Sequence, residues 1–455
     1  MVPIIEASCA TPVPTNTEKK SPLRSLLDVR PGEWPLAIPM FAQFFLVIAT
    51  FWVLKPIKKG IFVAFYDEHG LDLGGWHLEA AQAELLAKVA NMVVAALAVV
   101  VFSALSRTLR REKLTFVFAG FFVVALAVFA LVIGDPGHFV VWSFYLLGDL
   151  YTTLMVATFF AFLNDSVSPD DAKRLYPPIV LGGVAGGAFG SSVLSAWIDS
   201  IDHATWIWIC VGTTVTAALL AGLAGRVVAR REPEPAREPE AREPEAGNPV
   251  IAGARLVARS PYLLAIAAIV GLYEIVSTLL DFQFTSTVAH FLDDEAIGEQ
   301  FALVFTITNV AALFVQIFVT TFVMSRFPLV VSLMTTPLVI LGASMGYLIV
   351  PILWTGSLLN TADNAFSYSI NQSAKEALYT PTSRDEKYKA KAFLDMFVQR
   401  FAKSIAVGVS LLVTTVFTDF STIRWLSIAV VALVAVWLFA ARYAGMRFRE
   451  MTHDR

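Results

Sequence analysis

The chain has 455 residues, of which 56% are hydrophobic and only 16% are charged, and its formal net charge is −3 at pH 7. Soluble domains carry about 25% charged residues, so this composition excludes a soluble protein, and repeated apolar runs of about 20 residues indicate transmembrane helices. The net charge gives no basis for a nucleic-acid partner. The two cysteines, Cys9 and Cys210, are too few for a metal site or a disulfide scaffold.

The apolar runs predict an all-α polytopic membrane protein with twelve transmembrane helices. Six-helix bundles are expected at 35–229 and 251–445, separated by a charged Arg-Glu-Pro linker at 230–250 that cannot bury a core. Residues 1–34, which lack the apolar core of a signal peptide, and residues 446–455 are expected to be cytosolic tails. The predicted spans are 35–57, 82–106, 114–134, 139–163, 178–198, 205–228, 261–285, 301–325, 328–350, 354–374, 391–417 and 424–444.

Basic residues are distributed unevenly among the loops. They concentrate in the N-terminal tail, in Arg107–Lys113 and after the predicted fourth and tenth spans, whereas residues 60–87 include five acidic residues and no Lys or Arg. Cytosolic loops of membrane proteins are enriched in Lys and Arg. We therefore expect both termini in the cytosol.

The two predicted bundles repeat each other weakly. The fourth span leads to Ala172–Pro177 and the tenth to Ala374–Pro381, and both segments contain Leu-Tyr shortly before a proline. Six plus six helices with parallel repeats are typical of major-facilitator-like carriers, whose site lies near the midplane between the halves. We expect such a pseudo-repeat, with a site between the bundles of a monomer.

The first predicted span ends in three lysines and a proline. A charge at membrane depth is costly unless it faces a cavity or a partner, and Pro56 is expected to break or kink the helix. Lys58 is the best candidate to reach a cavity, and Lys55 offers a second contact. Lys59 is expected to snorkel to the outer headgroups.

Other polar side chains also fall inside predicted spans. Asp149 lies midway along the fourth span, and Glu274 and Asp281, seven residues apart, share a face of the seventh. Glu84 and Lys88 begin the second span as an i,i+4 pair, which we interpret as an ion pair at the membrane interface. The tenth and eleventh spans carry polar stripes that would line water or a substrate, with the candidate residues Asp363, Asn364, Lys375, Asp395, Arg400 and Lys403.

The fifth span contains the pattern GGxxGGxxG. Its glycines Gly182, Gly186 and Gly190 recur every four residues, which is typical of close packing against another helix. A phosphate-binding loop would need a following Gly-Lys-Ser/Thr, which is absent. The sequence also lacks HExxH, a Cys/His cluster and a nucleophile elbow, so we expect no enzyme, no cofactor and no metal.

The charges predicted at membrane depth indicate the charge of the substrate. Cations from the first and eleventh spans would repel one another unless an anion neutralised them, and carboxylates from the fourth and seventh spans could pair with them in an empty site. Phosphate esters fit such a site because Arg gives a forked contact and Lys a point charge. We therefore expect a small-molecule anionic substrate.

Two second-half motifs resemble those of the ADP/ATP transporters of plastids and obligate intracellular bacteria. Lys375–Pro381 and Lys387–Asp395 are similar to the family's Lys-Glu-x-x-Tyr-x-Pro and Lys-x-Lys-x-Lys-Ala-x-x-Asp signatures, and Asp171–Pro177 before the glycine-rich span adds a further similarity. The resemblance covers about 35–445. It implies ATP/ADP antiport by alternating access through a major-facilitator-like fold.

The resemblance also implies which charges bind the substrate. The family's two membrane lysines fall on Lys58 and Lys403, and its two glutamates fall on Asp149 and Asp281. Both acids are shorter here by one methylene, and Leu54–Lys59 loses an acid and gains a proline relative to the family. Another phosphorylated anion therefore stays open as the substrate.

Two alternatives to antiport also stay open. Asp149 or Asp281 could carry protons in a proton-coupled carrier of another solute, because carboxylates at the membrane midplane commonly relay protons. The divergent lysine stretch also allows a non-transporting membrane scaffold or sensor that has kept the carrier fold.

Overall fold

The computed structural model describes residues 29–30, 32–109, 111–167, 169–230, 249–383, 390–416 and 420–453. Most of the predicted N-terminal tail, nearly all of the predicted linker, and Lys387 and Lys389 of the second motif lie outside the described residues. Below, the described residues before the linker are called the N-terminal half, and those after it the C-terminal half.

The described N-terminal half forms six helices and an antiparallel β-hairpin that the sequence did not predict. The elements are α1 Trp34–His69, β1 Leu71–Leu73, β2 Trp76–Leu78, α2 Ala80–Thr108, α3 Arg111–Val132, α4 His138–Ser166, α5 Pro169–Trp197 and α6 His203–Arg230. The predicted loops after α2 and α4 shrink to a few residues, so that Asp171–Pro177 lies within the first turns of α5.

The described C-terminal half is also helical, with three π-helical turns inside its helices. The helices are α7 Pro249–Arg259, α8 Pro261–Phe291, α9 Asp294–Phe314, α10 Thr321–Arg326, α11 Leu329–Ile349, α12 Leu353–Phe366, α13 Gln372–Leu378, α14 Lys391–Phe393, α15 Gln399–Val416, α16 Phe420–Ile423 and α17 Leu426–His453. The π-helical turns at Val315–Thr320, Ser367–Asn371 and Leu394–Val398 join α9 to α10, α12 to α13 and α14 to α15.

Among the described residues, ten helical stretches are long and apolar enough to cross a membrane. The predicted spans 354–374 and 391–417 are also helical over their described residues, but each contains a π-helical turn and several polar side chains. Such turns are frequent at functional sites. These two stretches contribute much of the cavity wall described below.

The predicted end of the first span near Ile57 is wrong, because α1 continues through Pro56 to His69. Proline removes one backbone donor from a helix interior, yet Pro56 is buried, and α1 packs against α4, α5, α6 and α9. Packing on several sides holds the helix together at the proline. As a result Lys58 and Lys59 lie well inside the helix, not at its end.

The glycine stripe of α5 packs against the backbone of α1, as predicted. A Cβ built on Gly182, Gly186 or Gly190 would lie within 2.4 Å of a carbonyl oxygen of α1. Atoms in real structures do not approach so closely, so any side chain at these positions would force the two helices apart.

Gly186→Leu should therefore destabilise the fold. A larger side chain in a close helix contact costs about 1–3 kcal/mol or more, and the Cβ would lie 2.2 Å from the carbonyl oxygen of Phe45. The measurement is the melting temperature of the purified protein in detergent. Gly120→Leu on α3 is the matched control because a Cβ there meets nothing within 4 Å; equal melting temperatures for the two variants would contradict the packing role.

A layer of buried apolar side chains joins the two halves at the end of the protein that carries the β-hairpin, called the hairpin end below. Phe62 and Tyr66 of α1 pack in one cluster with Phe284 of α8 and Phe301 of α9. Close to this layer, a Cβ on Gly60 would lie 2.9 Å from the Cα of Gly298. The halves are therefore in tight contact at the hairpin end.

Candidate functional site

A cavity of about 700 Å³ lies between the two halves. Its wall is formed by α1, α2 and α4 on one side and by α8, α9, α12, α13 and α15 on the other. The apolar layer closes it at the hairpin end. Exposure rises away from that layer, from 4% for Lys59 to 49% for the side chain of Lys403, so the cavity opens at the opposite end, called the mouth below.

The structure brings all of the predicted site residues into the wall of this one cavity. They are Lys55, Lys58, Asp149, Glu274, Asp281, Asp363, Asn364, Lys375, Asp395, Arg400 and Lys403. The lysine that begins the polar stripe of the eleventh predicted span behaves differently: the ammonium of Lys391 is 2.6 Å from Glu376 and does not line the cavity.

Lys58 is enclosed by partners within the N-terminal half. Its ammonium forms an ion pair with Asp149, lies 3.4 Å from the carbonyl oxygen of Tyr145, and sits 4.2 Å from the centre of the Tyr145 ring. The second oxygen of Asp149 accepts a hydrogen bond of 2.7 Å from the Asn91 amide. Only 4% of the Lys58 surface is exposed, so these neighbours fix the side chain and little of it faces the open cavity.

Four charges form an ion-pair network across the two halves, and we call it the latch. Lys59 and Lys88 of the N-terminal half both contact Asp281 of the C-terminal half, Lys59 at 2.9 Å. Glu84 lies 3.3 Å from Lys59 and 3.0 Å from Lys88. Tyr145 donates a hydrogen bond of 2.9 Å to Glu84. The latch therefore alternates in charge and joins α1 and α2 to α8.

The latch overturns two of the predictions. Lys59 does not snorkel, since only 4% of its surface is exposed and it pairs with two carboxylates. The Glu84–Lys88 pair exists, but it lines the cavity instead of lying at the membrane interface. The first difference follows from the length of α1, because its continuation beyond Pro56 keeps Lys59 inside the bundle. The second reflects the contact of Lys88 with Asp281 on α8.

The C-terminal wall of the cavity carries amides, hydroxyls and carboxylates. Ser277 donates a hydrogen bond of 2.6 Å to one oxygen of Asp363. Asn364 donates one of 2.9 Å to the backbone carbonyl of Asn360. Nearer the mouth, Lys403 lies 3.3 Å from Glu274. This wall can offer many hydrogen-bond acceptors to the uncharged part of a ligand.

Among the described residues, Lys55 and Arg400 of the cavity wall have no carboxylate within 4 Å, and neither has Lys375. The ammonium of Lys55 lies against the Trp52 and Phe305 rings at 4.5 and 4.6 Å. Arg400 of α15 donates to the backbone carbonyl of Met92 on α2 at 3.2 Å. Since the guanidinium has five donors, most of them stay free for an anionic ligand.

Sequence reasoning missed the cavity residues whose side chains are aromatic or were assigned to the membrane surface. Lys59, Glu84 and Lys88 were placed at interfaces, and Tyr145 and Tyr368 did not stand out. The first three did carry a signal, because Lys59 follows Lys55 by four residues and Glu84 precedes Lys88 by four, so each pair shares a helix face. The tyrosines carry none, since aromatic residues are common in every span.

The described residues hold no group of three or more His, Cys, Asp or Glu side chains placed to bind a metal ion. The cavity volume is within the range of about 300–1,000 Å³ that is usual for small-molecule sites. Its unpaired cations, together with the acceptors of the C-terminal wall, suit a ligand that has an anionic part and a neutral hydrogen-bonding part.

The fold is that of known membrane transporters. A mutant form of the nucleoside transporter NupG superposes with a TM-score of 0.61 at 13% identity, covering 90% of this chain and 99% of that one. An inward-facing bacterial homologue of the lysosomal transporter Spinster superposes with a TM-score of 0.56 at 14% identity, covering 93% and 99%. The chain thus has a major-facilitator-like fold, and its long apolar helices make it an integral membrane protein.

The chain belongs to the TLC ATP/ADP transporter family, whose model matches residues 137–448. ADP,ATP carrier protein 1 of Chlamydia trachomatis serovar D is 23% identical over 92% of this chain and 90% of its own length. The chloroplastic ADP,ATP carrier protein 1 of Arabidopsis thaliana is 23% identical over 69% of this chain and 55% of its own length. The family is one of transporters, so the protein is not an enzyme.

Proposed function

We propose that this protein exchanges ATP for ADP, or a related phosphorylated anion, across a bacterial inner membrane by alternating access. The observation that carries the proposal is the cavity between the halves, in which Lys55 and Arg400 lack a carboxylate partner among the described residues. Such cations favour an anion of high charge density. The membership of the ATP/ADP transporter family indicates that this anion is an adenine nucleotide.

We also propose the finer architecture. Twelve spans form two six-helix bundles at 35–229 and 251–445, related by a parallel pseudo-repeat and joined by the 230–250 linker. The protein works as a monomer. Both termini are cytosolic, because Lys and Arg cluster on the side of the mouth. In this orientation the mouth faces the cytosol and the hairpin end faces outward.

In this mechanism the substrate and the carboxylates compete for the same cations. In the empty cavity Asp149 neutralises Lys58, Asp281 neutralises Lys59 and Lys88, and Glu274 neutralises Lys403. A phosphate chain bound at Lys55 and Arg400 adds negative charge next to these pairs. It draws the lysines toward itself and weakens their hold on Asp281.

Competition at the latch links binding to opening of the hairpin end. Lys59 and Lys88 lie on α1 and α2, while Asp281 lies on α8, so loosening these contacts loosens the two halves. Without a bound anion, separating the halves would leave Lys59 and Lys88 with Glu84 alone and Asp281 without its two lysines, which is costly. This accounts for exchange: the carrier crosses between its two states when it is loaded and returns only with another nucleotide.

A thermal-shift screen of the purified protein tests the proposed substrate. A ligand that binds only the folded state stabilises it and therefore raises the melting temperature. At a ligand concentration of 100 times its Kd, the free energy of unfolding increases by about 2.7 kcal/mol. ATP and ADP should raise the melting temperature, and adenosine, which lacks phosphate, should not. A rise of the melting temperature with sugar phosphates but not with nucleotides would show that the substrate is another organophosphate and not an adenine nucleotide.

A proton-coupled carrier is a second candidate, favoured by Asp363. This residue is 1% exposed and accepts a hydrogen bond from Ser277, while its other oxygen has no hydrogen-bond partner in the part of the chain that the structure describes. Among the described residues no cation lies within 4 Å of it. A buried carboxylate at membrane depth that no cation neutralises is a candidate to carry a proton. Uptake driven by a pH gradient with no internal nucleotide would favour this candidate over antiport.

A further inference from the structure

Lys55 occupies an aromatic cage built from both halves of the protein. Its ammonium lies 4.5 Å from the Trp52 ring centre on α1 and 4.6 Å from that of Phe305 on α9, and the Phe51 ring is 5.9 Å away. The Trp52 and Phe305 rings meet edge to face at 6.0 Å and are 7% and 2% exposed. The cage is therefore tightly packed, while Lys55 itself also lines the cavity.

The cage sets Lys55 apart from the neighbouring lysines. Lys58, Lys59 and Lys88 each pair with at least one carboxylate, so an incoming anion must displace that partner. Aromatic faces stabilise an ammonium through the ring quadrupole, without using its N–H donors for a salt bridge. The rings thus orient Lys55 and leave its N–H donors able to bind an anion.

We propose that Lys55, held in the cage of Trp52 and Phe305, is the lysine that binds the phosphate chain together with Arg400, and that the two rings are its positioning residues. The inference rests on the proposed function and sharpens it. The phosphate group binds first at Lys55, which has no carboxylate partner to release. The lysines that pair with carboxylates then move toward the bound phosphate. Lys58, enclosed by Asp149 and Tyr145, serves the charge balance of the empty site instead.

The cage also couples phosphate binding to the separation of the two halves. Trp52 and Phe305 lie on α1 and α9, the two helices that approach closely where Gly60 faces Gly298. Separating the halves at the hairpin end would take Phe305 away from Lys55. The ammonium then loses one aromatic face, and a bound phosphate compensates for that loss.

The test measures binding of tripolyphosphate and ATP to the full-length protein in detergent. Lys55→Gln should weaken both ligands by about 10- to 100-fold, since a hydrogen bond to a charged group contributes about 1.5–3 kcal/mol. Phe305→Leu keeps an apolar side chain but removes the ring face, and should weaken binding several-fold. Phe305→Tyr restores the ring and should restore the affinity. Phe314→Leu, at a residue 57% exposed on the same helix, should bind like the wild type.

Each result decides the proposal. Wild-type affinity in Lys55→Gln would overturn the phosphate role of Lys55 while leaving the proposed function in place. Equal affinities for Phe305→Leu and Phe305→Tyr would overturn the cage, because a structural role does not distinguish a ring face from an aliphatic surface. Failure of the wild-type protein to bind either ligand would overturn the proposed function together with the site. The melting temperatures of the ligand-free variants verify that all of them are folded.

Discussion

Replacing Asp281 with asparagine should slow nucleotide exchange by roughly 100-fold. Asp281 is the C-terminal member of the latch and contacts both Lys59 and Lys88. Removing one partner of a buried ion pair costs about 3–5 kcal/mol, and the lower end applies because Glu84 still lies within 3.3 Å of both lysines. The closed hairpin end then loses its electrostatic contact, and the carrier no longer returns efficiently to the state that is open at the mouth.

The measurement for Asp281→Asn is exchange of labelled ATP in proteoliposomes. Asp72→Asn is the matched control, since this carboxylate is 82% exposed in the hairpin. The double variant Lys59→Met/Asp281→Asn leaves one lysine and one carboxylate and should regain part of the lost rate. An exchange rate for Asp281→Asn equal to that of the control would rule out the latch.

Replacing Gly60 with leucine should abolish exchange by keeping the hairpin end open. The Cβ alone would lie 2.9 Å from the backbone of Gly298 on α9, and the larger side chain cannot fit while the halves touch. Because backbone and not a flexible side chain opposes it, the helices must separate. The partner position gives a matched control: a Cβ on Gly298 meets nothing within 4 Å, so Gly298→Ala should exchange normally.

Thiol labelling tests the same substitution without transport. In a background lacking Cys9 and Cys210, cysteine is introduced at Val288, a fully buried position of the apolar layer. A membrane-impermeant reagent added outside should label this cysteine in the Gly60→Leu protein and leave it unlabelled in the Gly298→Ala protein. Equal protection in both would show that the glycine contact does not close the hairpin end.

The sequence could predict which residues enter the cavity better than which of them meet. Asp149, Asp281 and Arg400 are polar residues in apolar runs, and the cost of charge in lipid directs such side chains inward whatever the fold. Their partners depend on which helices face each other. No spacing in the chain relates Lys88 to Asp281, 193 residues away, although their ion pair joins the two halves.

The errors of the sequence prediction arise from local rules that packing overrides. The cost of proline in a helix predicted an end near Pro56, but contacts on several sides of α1 carry the helix on to His69. Because of this one helix boundary, Lys59 was predicted at the membrane surface, whereas the structure places it in the latch. The cage around Lys55 was not predictable either, because Phe305 is one of 35 phenylalanines and has no local mark of its role.

Counterflow in proteoliposomes tests the central claim most directly. Vesicles with the wild-type protein are loaded with ADP, labelled ATP is added outside, and its uptake is followed with no pH gradient. Antiport through this cavity predicts rapid uptake that requires internal ADP and that falls strongly in Lys55→Gln and Asp281→Asn. Uptake at the same rate into vesicles without internal nucleotide, or no uptake by the wild-type protein, would contradict the account.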